Sequence, residues 1–113
     1  MRRNEPRDLF PGALEMMILH TLRQEPMHGY ALAQVIKRTS DDLLQIEEGS
    51  LYPALQRMLK ARWVDAEWGI SVRNRRIRIY KITGAGRKQL EREVSSFERM
   101  LSGIARVMRP AAS

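Results

Sequence analysis

The sequence predicts a mainly α-helical fold with one small β-hairpin, an α+β class in a single domain. Three segments with apolar residues at helical spacing are followed by two extended segments and one long helical segment. The chain has 113 residues, enough for one modest core. Its formal net charge of +7 favours an anionic partner, and the absence of cysteine excludes a disulfide framework or a zinc–cysteine site.

Glycine and proline delimit the first two helices. Pro11 and Gly12 open the first helix, and Pro26 stops it. Gly29 opens the second helix, which is expected to end at residues 40–42. The loop that follows is expected to place three apolar side chains in the core: Leu43, Leu44 and Ile46.

The third helix is predicted in the stretch GSLYPALQRMLKARW. Ser50 is expected to cap it, with Pro53 in the first turn, where a missing N–H costs nothing. In a helix-turn-helix, the second helix of the pair lies in the major groove of DNA. The candidate DNA contacts here are Ser50, Tyr52, Pro53, Gln56, Arg57 and Lys60. Gln can pair with adenine, Arg with guanine and hydroxyls with phosphate, but an ordinary solvated polar face explains these residues equally well.

Two extended segments follow, joined by a turn at residues 71–74. The first alternates, and the side expected to be buried contains Val64, Ala66, Trp68 and Ile70. Trp63 and Trp68 are therefore expected to be core residues rather than groups that stack on a ligand. The second segment, within ISVRNRRIRIYKIT, alternates imperfectly, which indicates either a bulge or a strand covered on both faces.

Four arginines are concentrated around this turn: Arg73, Arg75, Arg76 and Arg78. A hairpin directly after a recognition helix is a wing, and we expect these arginines to bind the phosphates of DNA. The alternative is an edge strand kept soluble by charge. Lysine is the usual residue in that role, whereas arginine suits phosphate geometry better. The order of elements thus predicts a winged helix-turn-helix.

A long helix follows, capped by Thr83 and running to about Met108. Its apolar residues are spaced 4-3-4-3-4: Leu90, Val94, Phe97, Leu101, Ile104 and Met108. A helix of this length, ~37 Å, would overhang so small a domain, which favours a dimer contact over packing on its own core. The expected dimer interface adds Leu14 and Met17 of the first helix.

We expect three regions: a flexible arm at 1–10, a DNA-binding domain at 11–82, and a dimerisation helix with its tail at 83–113. Because methionine adapts to varied ligands, an apolar or aromatic effector is expected in a pocket at the dimer interface. Its candidate lining is Met16, Met17, Phe97, Met100 and Met108. The sequence shows no catalytic constellation, metal-ligand spacing, cofactor motif, signal peptide or membrane span, so a cytoplasmic non-enzyme without cofactor or metal is expected.

Several stretches resemble PadR-type transcriptional regulators: PGALEMMILHTL, MHGYALAQVI, GSLYPALQRML, YKIT, and GR at 86–87. The resemblance implies a homodimeric bacterial repressor on an inverted-repeat operator, released by a small effector. It also implies DNA contacts from the helix at 50–60, including Tyr52 and Arg57, and from the wing at 68–80. The helix at 83–108 would pack on the partner's first helix.

The sequence departs from the family pattern at two places. Arg62 stands where the family usually has glycine, so the junction before the wing is expected to differ. Ile79 and Tyr80 stand where a tyrosine pair is common, which affects the packing of the wing. Two other functions stay open: a basic protein that binds nucleic acid regardless of sequence, and an adaptor that binds another protein through the heptad helix.

Overall fold

The computed structural model describes residues 12–110 as four helices and a three-stranded antiparallel sheet. The elements are α1 (Ala13–Gln24), β1 (Met27–His28), α2 (Gly29–Thr39), α3 (Glu48–Lys60), β2 (Val64–Ile70), β3 (Arg76–Ile82) and α4 (Gly84–Met108). The predicted fold class is confirmed, with the short strand β1 as an addition. The expected arm at 1–10, Pro11 and the last three residues lie outside the described residues.

One apolar core holds the first three helices against the sheet. The side chains most completely buried in it are Ile18, Leu19, Leu22, Leu32, Leu51, Leu55, Met58 and Val64. Burying each such side chain is worth about 1.5–3 kcal/mol. Within residues 12–110, no helix is long and apolar enough to cross a bilayer.

The connection between α2 and α3 contributes less to the core than predicted. Ile46 is buried and Leu44 half-buried, but Leu43 is 84% exposed, so its assignment to the core was wrong. Asp41 and Asp42 both adopt the left-handed conformation, with φ of 55° and 65°. These two residues turn the chain sharply just before Leu43, which leaves that side chain in solvent.

The third helix begins earlier than predicted. Its first residue is Glu48, and the backbone carbonyl of Glu47 accepts from the N–H groups of Ser50 and Leu51 at 2.9 Å each. Ser50 therefore lies inside the first turn and is not the cap. Pro53 lies beyond the first turn, inside the helix. Both predictions were wrong because helical backbone bonds start here without a side-chain cap.

The central strand of the sheet is β3, between β1 and β2. Its pairing with β2 is continuous from end to end, so the suspected bulge is excluded. Tyr80 is buried and Ile82 half-buried on the core side. Ile77 and Ile79 are half-buried on the opposite side. The imperfect alternation thus reflects a strand that is partly covered on both faces.

The junction between α3 and β2 keeps the geometry that a glycine would give. Arg62 has a φ of 64°, in the left-handed region, and its N–H donates to the carbonyl of Leu59 at 3.0 Å. The expectation that arginine would change this junction was therefore wrong.

We predict that Arg62→Gly stabilises the protein by about 0.5–1 kcal/mol in urea unfolding. The left-handed conformation costs a non-glycine residue roughly 1–2 kcal/mol, and this relief exceeds the roughly 0.5–1 kcal/mol entropic penalty of glycine. Arg87→Gly is the matched control, because Arg87 is an exposed residue inside α4. The Arg87→Gly variant should be less stable than wild type by about 1 kcal/mol. A loss of stability in both variants would show that Arg62 is not strained.

The start of α4 is fixed to this same junction. The Thr83 hydroxyl donates to the carbonyl of Arg62 at 2.7 Å and accepts from the N–H of Gly86 at 3.0 Å. The Thr83 N–H donates to the carbonyl of Trp63 at 3.0 Å. Thr83 is thus the helix cap, as predicted. A Cβ added at Gly86 would overlap the Trp63 carbonyl oxygen, so the helix can approach this closely only with glycine.

Only the first part of α4 is covered by its own chain. Leu90 is buried and Val94 half-buried against the core, whereas Leu101, Ile104 and Met108 are exposed. Leu14, on the facing helix α1, is buried in the same core as Leu90. These two leucines are therefore already covered within the chain, and the exposed residues of the predicted seam are the later ones.

Candidate nucleic-acid interface

The solvent-facing side of α3 brings together the side chains predicted to contact DNA. The inward side of the helix is formed by Leu51, Ala54, Leu55 and Met58, all buried. Of the six candidates, Ser50 is half-buried. The other five are exposed: Tyr52, Pro53, Gln56, Arg57 and Lys60. Their contact with DNA stays a prediction, but the helix presents them away from the core.

The ring of Tyr52 lies close to Gly29, the glycine that opens α2. A Cβ added at Gly29 would lie 2.6 Å from the Tyr52 Oη and 2.8 Å from its Cε1, so a larger residue would displace the ring. Burial raises the pKa of the Tyr52 phenol above its ordinary value of 10.0, and Glu48 and Tyr80 raise it further. The hydroxyl is therefore protonated at neutral pH and can donate a hydrogen bond to a phosphate oxygen.

Arg57 is held from the other side, by α1. Its Nη2 donates to Oε2 of Glu15 at 2.8 Å. The Arg57 side chain is 61% exposed, whereas that of Glu15 is 17% exposed. The guanidinium thus stays at the surface while its partner is largely covered.

Beyond the core, the hairpin carries a stack of cationic and aromatic groups. The guanidinium carbons of Arg76 and Arg78 lie 4.3 Å and 5.5 Å from the ring centroid of Trp68. Cation–π attraction at these distances orders the two arginines. Trp68 is 59% and Ile70 63% exposed, so the prediction that they are buried was wrong. They have the parity of the core face, but the hairpin extends past the core at this point.

The tip of the hairpin forms the predicted turn. The Ser71 Oγ accepts from the backbone N–H groups of Arg73 and Arg75 at 3.2 Å each, and Asn74 takes a φ of 63°. Both arginines and Val72 are exposed. We call Arg73, Arg75, Arg76 and Arg78 the wing arginines; all four are exposed.

The end of α3 and the hairpin border one groove of about 610 Å³. Its charged lining consists of four basic and two acidic side chains: Lys60, Arg62, Arg78, Lys81, Asp65 and Glu67. The recognition helix and the wing therefore adjoin the same open surface, with an excess of positive charge.

The sequence did not single out a second exposed aromatic residue near α3. Tyr30, in the first turn of α2, is 64% exposed, and its ring centroid lies 6.4 Å from that of His28. It borders a shallow pocket of about 350 Å³ together with Glu47, Glu48 and Tyr52. The tyrosine of the HGY stretch is the sequence signal that could have indicated this part of the surface.

An apolar groove of about 450 Å³ lies between α1, α2 and α4. Three of the five residues predicted to line an effector pocket border this groove, namely Met16, Met17 and Phe97, and effector binding there stays a prediction. Met100 instead borders a small cleft beside Gly12, and Met108 lies at the exposed end of α4. Two of the five predicted lining residues are therefore outside the groove: Met100 faces the start of α1, and Met108 lies beyond the part of α4 that packs on the core.

Within the described residues, no three His, Cys, Asp or Glu side chains are grouped so that they could bind a metal ion. The helix pair, the wing and the basic groove define instead a winged helix-turn-helix, a class of DNA-binding proteins. Residues 18–92 match the family of PadR-like transcriptional regulators. The chain belongs to that family, whose members are transcriptional regulators and not enzymes.

Solved structures of other regulators show the same fold. A transcriptional regulator from Clostridium thermocellum is 25% identical, with a TM-score of 0.81 over 88% of this chain and 96% of that one. A PadR-like transcriptional regulator from Bacillus cereus is 28% identical, with a TM-score of 0.73 over 89% and 96%. An uncharacterised protein from Lysinibacillus sphaericus is 28% identical over 80% of this chain and 83% of its own length.

Proposed function

We propose that this DNA-binding regulator is a homodimeric repressor that reads an inverted-repeat operator, in the bacterial cytoplasm. The observation that carries the proposal is the groove shared by Lys60 at the end of α3 and Arg78 of the wing. One element supplies side chains that can read base edges, and the other supplies cations for the adjacent phosphates. In this assignment residues 11–82 bind DNA and residues 83–113 bring two copies together.

The second half of α4 supports the dimer. Leu101 and Ile104 are 44% and 41% exposed, and they continue the seam whose first residues pack on α1. A second copy would cover this apolar strip and align two recognition helices for a two-fold operator.

The groove beside Met16, Met17 and Phe97 supports release by an apolar or aromatic effector. A thermal-shift screen of apolar and aromatic compounds tests this assignment. A ligand of the groove should raise the melting temperature of the protein and weaken its binding to DNA. A screen without any stabilising compound would count against an effector.

The decisive measurement is fluorescence anisotropy on two duplexes over a salt series. One duplex is the sequence that the protein selects from a randomised pool, and the other is a shuffled copy. We expect a preference of about 10³ or more at physiological salt. Equal binding with a steep salt dependence would favour the sequence-indifferent protein. No DNA binding, together with a heterologous protein partner, would favour the adaptor.

Arg57→Ala should weaken binding to the selected duplex by about 1–3 kcal/mol, because a guanidinium that reads guanine contributes that much discrimination. Binding to the shuffled duplex should change much less. Arg76→Ala is the matched control from the wing, and it should weaken binding to both duplexes by the same factor. If Arg57→Ala also weakened both evenly, Arg57 would be a phosphate contact and not a base reader.

A further inference from the structure

The contact between Arg57 and Glu15 joins two elements that are distant in sequence. Glu15 lies in the first turn of α1 and Arg57 near the end of α3, 42 positions apart, and a 2.8 Å hydrogen bond links their side chains. The bond connects Arg57, the candidate base reader, to α1, a helix in which no DNA contact is predicted.

The geometry leaves Arg57 available for a second partner. A guanidinium has five N–H donors, and the bond to Glu15 uses one of them, on Nη2. Because the Arg57 side chain is 61% exposed, its other donors can reach solvent. Glu15 is only 17% exposed, so its carboxylate sits behind the guanidinium and does not compete with DNA for the outer side.

We propose that Glu15 is a positioning residue for sequence reading: it fixes the Arg57 guanidinium before DNA arrives. A free arginine side chain loses rotamer freedom when it docks on a base, and a contact that orders it beforehand removes part of that cost. The proposal rests on the proposed function and adds a residue through which specificity is set.

Positioning predicts a result that a purely structural role does not. Loss of the pair lets the guanidinium move among bases and phosphates, so discrimination falls while binding to the shuffled duplex is kept or increased. A structural loss would weaken both duplexes together, because it would lower the folded fraction.

The experiment compares Glu15→Gln with wild type on the selected and shuffled duplexes. Glutamine keeps the size of the side chain but removes the charge that holds Arg57. Glu25→Gln is the matched control, since it removes the same charge from an exposed residue at the other end of α1. Both variants are also measured with Arg57→Ala, and NMR follows the Arg57 Nε–Hε signal for immobilisation.

We expect Glu15→Gln to lower the ratio of selected to shuffled affinity by about 10-fold, within the range of one lost bidentate base contact. The Glu25→Gln ratio should equal that of wild type, and Glu15→Gln should have no further effect once Arg57 is alanine. An unchanged ratio, or the same fall without Arg57, would overturn the positioning role. A wild-type protein without preference between duplexes would instead overturn the proposed function itself.

Discussion

Replacing the four wing arginines with glutamine is expected to remove most of the salt-dependent binding to DNA. Each phosphate contact contributes about 0.9 to the slope of log affinity against log salt, so four contacts in each protomer contribute about 3.6, and the eight contacts of the proposed homodimer about 7. At 0.1 M salt this corresponds to a loss of affinity on the order of 10³-fold for each wing that contacts DNA, on selected and shuffled duplexes alike. Anisotropy titrations over a salt series measure both quantities.

The control removes the same charge from α4 instead of the wing. Glutamine at four exposed arginines of α4 and its cap gives the same net charge: Arg87, Arg99, Arg106 and Arg109. If the wing binds phosphate, this second set should change the slope far less. Equal slopes for the two sets would mean that only net charge matters, and the wing would then be an edge strand kept soluble by its arginines.

Gly86→Ala is expected to destabilise the folded protein by about 2–3 kcal/mol, near the upper end of what overpacking costs. The added Cβ would overlap the Trp63 carbonyl oxygen, a backbone atom that cannot rotate away. To relieve the overlap, α4 would have to move and stretch the hydrogen bonds of Thr83 to Arg62 and Trp63. Urea unfolding, or a fall in melting temperature of at least about 8 °C, would show the effect.

Gly84→Ala provides the comparison, because this residue starts the same helix and a Cβ there has no neighbour within 4 Å. We expect its stability to be unchanged or raised by up to about 1 kcal/mol, since alanine restricts the unfolded chain. Similar losses for both glycines would indicate that helix entry, and not the contact with Trp63, requires glycine.

The sequence was sufficient for features that depend on local periodicity and on special residues. The heptad spacing and Thr83 predicted the extent of α4, and the turn at residues 71–74 was placed correctly. The strand β1 has only two residues, Met27 and His28, which is too short to show any periodicity.

The errors arise where burial or pairing depends on distant parts of the chain. Trp68 has the alternation of a buried residue, but the strand outruns the core there, and alternation alone cannot tell where the core ends. The partners of Arg57 and Gly29, namely Glu15 and Tyr52, lie on other helices and carry no local signal. Side-chain positions in the candidate site therefore required the structure.

The hydrogen bonds from Thr83 to Arg62 and Trp63 set the angle at which α4 leaves the rest of the chain. At 1.5 Å per residue, the 25 residues of α4 span about 37 Å. A tilt of about 5° at the joint would thus move the far end by about 3 Å, close to the ~3.4 Å rise of one base pair. In a dimer joined at the far end of α4, a change of a few degrees in the helix angle at Thr83 would therefore displace each DNA-binding domain by about the rise of one base pair.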